Sequence, residues 1–174
     1  MRHLSQLIGC IEVDDFEIVW APGYGSLRAG GNVGVDDGTL FHAGSVAKPV
    51  STAGGLWTTP SDLARIAIEI MREYRGTSDR LLSHEMAQEM LAPQISISGN
   101  PIADAMALGF ERSGSGPEFA IVHTSGTWGS TAVLLAYPET DQGAVIMTNS
   151  ATGSLLRFEV LLAVSVEYGW PQSS

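Results

Sequence analysis

TLFHAGSVAKPV, residues Thr39 to Val50, decides how the rest of the chain is read. Within it Ser45 and Lys48 stand three positions apart. On a helix, residues at that spacing share a face one turn apart, so the hydroxyl and the amine come within hydrogen-bond reach. A buried amine of depressed pKa can take the hydroxyl proton and turn a weak nucleophile into a useful one. Lys48 is the only lysine in the 174 residues, and every other cation is Arg or His. A guanidinium cannot give up its proton, so lysine here is not interchangeable with Arg. Its neighbours Ala47, Pro49 and Val50 carry no charge, which predicts a buried Lys48. Pro49 lacks an N–H and is tolerated only within the first turn, so the predicted helix starts close to Ser45. Such a helix N-terminus would turn backbone N–H groups toward a developing anion. The plain alternative is a solvated lysine on a surface turn, because Ser-x-x-Lys by itself is common.

Composition narrows the function classes. A chain of 174 residues suits one domain with a real core. With 44% hydrophobic and 16% charged residues it reads as globular. The net charge of -10 argues against nucleic acid and anionic membranes as partners. The single Cys10 permits no internal disulfide, and the scattered His3, His42, His84 and His123 predict no metal site. No apolar run approaches the ~18 residues of a membrane span. No basic-then-apolar segment opens the sequence, which predicts a cytoplasmic protein as given, or a periplasmic or secreted one if a leader has been removed.

Leu7–Val13 and Phe16–Trp20 are apolar runs around Asp14-Asp15, a hairpin signal. Residues 21–37, rich in Gly and polar side chains, read as loop. Gly54-Gly55 marks a break or close-packing point. Thr59 is the expected N-cap of a helix with Pro60 at its first position, and Leu63, Ile66, Ala67, Ile70 and Met71 carry helical spacing to about Tyr74. Ser83 caps a second helix whose apolar side is Met86, Met90 and Leu91, ended by Pro93. From Ala105 the period becomes strand-like: Met106–Arg112 pairs with Phe119–His123, and Ser130–Tyr137 with Gly143–Thr148. Leu155–Tyr168 closes the chain as an apolar helix. The expected fold class is α+β, an antiparallel sheet flanked by helices in a single domain.

Taken together these blocks resemble the serine β-lactamase-related proteins: class C β-lactamases, DD-peptidases and the esterases of that fold. Thr39–Val50 resembles their nucleophile motif, and FEIVWAPGYG (Phe16–Gly25) the strand and turn before it. AGGLWTTPSDLARIA (Ala53–Ala67), Phe119–Ser150 and EYGWP (Glu167–Pro171) are similar to later segments of the same proteins. The resemblance implies Ser45 as nucleophile and Lys48 as general base. The third motif of the family, Lys/His-Thr/Ser-Gly, falls on His123-Thr124-Ser125, with Ser in place of the usual small Gly. It implies that His123 assists proton transfer, that Thr124 and Ser125 border the substrate, and that the N–H groups of Ser45 and Gly126 form the oxyanion hole. The family's Tyr-x-Asn motif has no counterpart between Lys48 and His123, and none of Tyr24, Tyr74, Tyr137 and Tyr168 is assigned as its replacement. The helical region that separates Lys48 from Ala53 in relatives is absent as well.

The resemblance implies a serine hydrolase that cleaves small-molecule esters or β-lactam amides through an acyl-enzyme on Ser45, with no cofactor and no metal. An α/β-hydrolase is disfavoured, since no Gly-x-Ser-x-Gly occurs. The alternative is a non-catalytic binding or assembly module on the same scaffold. Loss of the helical region predicts exposed apolar side chains at Val46, Val50, Leu56 and Trp57, and hence a homo-oligomer.

Overall fold

A computed structural model, which describes residues 6–12, 17–28, 30–51, 55–100 and 102–171, lays the first strands of the chain beside the last one. The elements are β1 (Gln6–Glu12), β2 (Glu17–Trp20), β3 (Gly23–Tyr24), β4 (Phe41–His42), β5 (Trp57–Thr58), α1 (Pro60–Tyr74) and α2 (His84–Leu91). They continue as β6 (Ile95–Ser96), β7 (Ala105–Met106), β8 (Glu111–Ser113), β9 (Ala120–Gly126), β10 (Thr131–Tyr137), β11 (Gln142–Thr148) and α3 (Ser154–Glu167). Among the described residues nine strands form one antiparallel sheet in the order β2-β1-β11-β10-β9-β8-β7-β6, with β3 also on β1. β4 and β5 pair separately. The expected α+β class holds.

β10, β11 and the first half of β9 are mostly apolar because both of their faces are covered. On one face Ile121, Ala132, Leu134, Val145 and Met147 pack with Leu63, Ala67 and Met71 of α1 and with Val46 and Ala47. On the other, Val122, Val133 and Ile146 pack with Val164 and Trp170 of the closing segment. The period of two in each strand sorts these sets cleanly. α1 begins as expected: the Thr59 side chain accepts from Asp62 N at 3.0 Å and Pro60 occupies the first turn. Ser83 caps α2 in the same way.

Several expectations are corrected. Met86 is exposed, and Ala87 and Leu91 make the buried side of α2. Residues 106–112 are two short strands, because Gly109, at φ +89°, turns the chain between β7 and β8. The loop at 21–37 carries β3 and a bridge between Ser26 and Gly34. Val46 lies in the core at 1% exposure and Leu56 is half-buried against it, whereas Val50 and Trp57 are exposed as expected. The turn at Asp14-Asp15 and residue Gly54 lie outside the described residues.

Candidate active site

Ser45 sits in a single 3-10 turn, Gly44–Ala47, rather than in an α-helix. Lys48 N donates to Ser45 O at 3.0 Å, and Val50 N and Ser51 N both donate to Ala47 O, so the chain turns away at Pro49 instead of winding on. So short an element has little macrodipole, and any anion stabilisation falls to individual N–H groups. Lys48, past the last residue of the turn, is exposed, which corrects the expectation of a buried amine. The uncharged neighbours do not bury it: Val46 and Ala47 enter the core, while Val50 faces solvent beside it.

The turn is held against β9. Ser125 is buried, and its hydroxyl donates to the carbonyl of Ala43 at 2.8 Å. Gly44, at φ +57°, provides the room: a Cβ built there would lie 3.0 Å from Ser125 Oγ and 3.1 Å from both Ser125 Cβ and Thr127 Cγ2. A serine is therefore accommodated where the family's motif has glycine, because the facing residue has no side chain. At the next level Ser130 Oγ donates to His42 O at 3.2 Å. Thr127 N donates to Ser130 O at 2.8 Å and closes the β9–β10 hairpin.

That hairpin bond sets the direction of the β9 amides. In an antiparallel ladder directly opposed residues alternate between bonded and non-bonded pairs. Thr127 and Ser130 are bonded, Gly126 opposite Thr131 is not, and Ser125 opposite Ala132 is bonded again. Gly126 thus turns its N–H away from β10. On that side β8 pairs with β9 only as far as Val122, so the edge from His123 to Gly126 is open among the described residues.

His123 is half-buried on this edge, with its ring 6.5 Å from that of Phe110 in an edge contact. Its Nδ1 lies 3.1 Å from the Thr124 carbonyl, which can only accept, so Nδ1 carries the proton and Nε2 keeps its lone pair. Burial pushes the imidazole pKa below its ordinary value, and the nearby Lys48 charge adds to this, against the opposing pull of the Thr124 hydrogen bond and Glu111. His123 is thereby kept as a neutral ring whose free nitrogen is available to a proton.

Two features escape the sequence reading. Arg157 of α3 is buried, and its Nη1 donates to Ser125 O at 2.8 Å and to Ala132 O at 2.6 Å, from the sheet face opposite the nucleophile turn. A lone cation inside the apolar run LLRFEVLLAV is the available signal. The second is a concavity of about 480 Å³ next to the hairpin turn, lined by Leu27, Leu40, His42, Trp57, Trp128 and Asn149 among others. No group of acidic, His and Cys side chains able to hold a metal occurs among the described residues, and no helix there is long and apolar enough to cross a membrane.

This architecture is that of a small penicillin-binding-protein/β-lactamase-like core. It matches the octameric penicillin-binding protein homologue from Pyrococcus abyssi at a TM-score of 0.55 and 17% identity, over 93% of this chain and 30% of that one. The penicillin-binding protein from Bacillus halodurans matches at 0.52 and 16%, over 90% of this chain and 39% of that one. SurE matches at 0.54 and 21%, over 92% and 36%. The chain thus spans between 30% and 39% of the length of these structures, and likeness at such identities speaks for the fold alone. No family model matches the sequence, and no curated protein matches it.

Proposed function

We propose that the chain carries a serine acyl-transfer site that cleaves small esters or β-lactam amides through a covalent intermediate on Ser45. The observation that carries this reading is the docking of the Ser45 turn, through Ser125 and Gly44, onto the strand whose open edge offers the Gly126 N–H. Ser45 Oγ attacks the carbonyl carbon, and the oxyanion is held by the N–H groups of Ser45 and Gly126. The hydroxyl proton passes to Lys48 Nζ and then to the departing alkoxide or lactam nitrogen as its bond to the carbonyl carbon breaks. Water then attacks the acyl-serine ester, releasing the acid and restoring Ser45. His123, neutral with a free Nε2, accepts a hydrogen bond from the protonated amine and assists the transfer. Thr124 borders the bound substrate along the open edge, whereas Ser125, expected there as well, is buried and holds the nucleophile turn instead. Incubation with a chromogenic ester or cephalosporin, followed by intact-mass measurement, tests the reading; no burst and no adduct on Ser45 would sink it.

The protonation state of His123 gives the scheme a pH signature. His123 must stay neutral to assist, so its contribution to the acylation rate is expected to persist below the ordinary imidazole pKa and to be lost as the depressed His123 pKa is crossed. Lys48→Arg keeps the charge but cannot accept the proton, and is expected to cost about a hundredfold, as much as Lys48→Ala. An Arg variant of wild-type rate would demote Lys48 to an electrostatic role.

The exposure of Lys48 favours the second reading, a binding or assembly module without turnover, because solvation works against an amine that must accept a proton. We reconcile it with catalysis by assembly. Val50, two residues beyond Lys48, is 40% exposed, and Trp57 of β5 is 61% exposed. A second copy seated there would bury them and desolvate the amine. One of the matched structures is itself an octameric homologue. Light scattering at micromolar concentration is expected to give a multiple of 18.4 kDa; a fully active monomer would remove this explanation.

A further inference from the structure

We infer that Arg157 is a positioning residue that strengthens the Gly126 N–H through the peptide group the two share. The inference rests on the acyl-enzyme reading above. Ser125 C=O and Gly126 N–H belong to one amide and point in opposite directions. Arg157 Nη1 donates to that carbonyl at 2.8 Å from the far face of the sheet, while the N–H faces the open edge of β9, the strand on which Ser125 docks the nucleophile turn. A charged donor on the carbonyl polarises the amide and makes its N–H the stronger donor, as in any chain of hydrogen bonds. The same Nη1 also donates to Ala132 O at 2.6 Å, the bonded partner of Ser125 across the ladder, which fixes the guanidinium under this one peptide.

The setting argues that the charge matters beyond packing. Arg157 is buried in an apolar helix face, with no carboxylate in salt-bridge range among the described residues. Among the described residues its Nε has no hydrogen-bond partner, and its guanidinium lies 5.2 Å from the Phe158 ring. Burial alone pushes its pKa down, with no neighbouring charge opposing it. An unpaired buried cation destabilises a fold, and an apolar side chain of similar length would fill the same space. Negative charge would develop on the substrate oxygen at the other end of the Ser125–Gly126 peptide. A fixed positive charge behind that peptide lowers the energy of the anion without touching substrate.

Wild type, Arg157→Lys, Arg157→Gln and Arg157→Met are acylated with an ester carrying a ¹³C-labelled carbonyl, and the carbonyl stretch of each Ser45 adduct is read by infrared difference spectroscopy. The two neutral variants are expected to shift the stretch to higher wavenumber and to acylate about tenfold more slowly, with KM little changed. Arg157→Lys, which keeps the charge, is expected to retain most of both. Equal stretches in Lys and Gln variants would overturn the inference, since both can donate and only one is charged. Failure of both neutral variants to fold would overturn it too, by making the residue structural. A wild type without any Ser45 adduct would overturn the acyl-enzyme reading itself, and the inference with it; an adduct indifferent to position 157 overturns the inference alone.

Discussion

Ser45→Ala is expected to lower ester or β-lactam turnover by at least about a thousandfold while leaving the melting temperature close to wild type, because it removes the only atom that bonds to substrate. The side chain is half-buried, and the turn around it is held by Ser125 and by main-chain bonds rather than by its own hydroxyl. Structure and chemistry are therefore separable at this position. Residual activity from the oxyanion donors is expected, but no covalent adduct should survive in the mass spectrum. An Ala variant that hydrolyses nitrophenyl esters at the wild-type rate would show that another group is the nucleophile.

Gly44→Ala is expected to be damaging as well, though less so and by a different route. An L-residue at φ +57° costs about 1–2 kcal/mol in backbone strain. Its Cβ would also press on Ser125 Oγ at 3.0 Å and Thr127 Cγ2 at 3.1 Å. Ser125 cannot retreat without giving up its bond to Ala43 O, so the nucleophile turn must lift from β9. A displacement of an ångström at a reacting atom costs about a hundredfold in rate, and that loss in acylation, with a lowered melting temperature, is the expected result. Adding Ser125→Gly should restore part of the rate, because the two side chains compete for one space; strictly additive losses would show that the contact is not what limits the site.

How much of this could be read beforehand depended on the range of the interactions. The start of α1 is legible because Thr59, Pro60 and Asp62 settle it within four residues. The β10–β11 hairpin is legible because two apolar runs flank an obvious turn. Ser45 and Lys48 are recognisable from their spacing and surroundings, yet the exposure of Lys48 depends on what covers it, which no local pattern encodes. Ser125 reads as a departure from a motif until Gly44 is seen opposite it, 81 positions earlier in the chain. Arg157 reads as an oddity in an apolar helix, since its partners are two carbonyls on other elements and carbonyls leave no trace in a sequence.

The pairing of β1 with β11, Gln6 opposite Thr148, has a consequence for how the molecule is made. β1 is synthesised long before its partner, so the sheet cannot close until β11 has emerged. The Ser45 turn waits as well, because Ser125 and Thr127 emerge long after it. Loops closed over such separations are paid for in chain entropy before any contact repays them, and sheets of this kind fold slowly. Meanwhile β9 and β10, apolar on both faces, form their hairpin with one edge still unpartnered. The nascent chain is thus at its most aggregation-prone between the appearance of β10 and the arrival of β11.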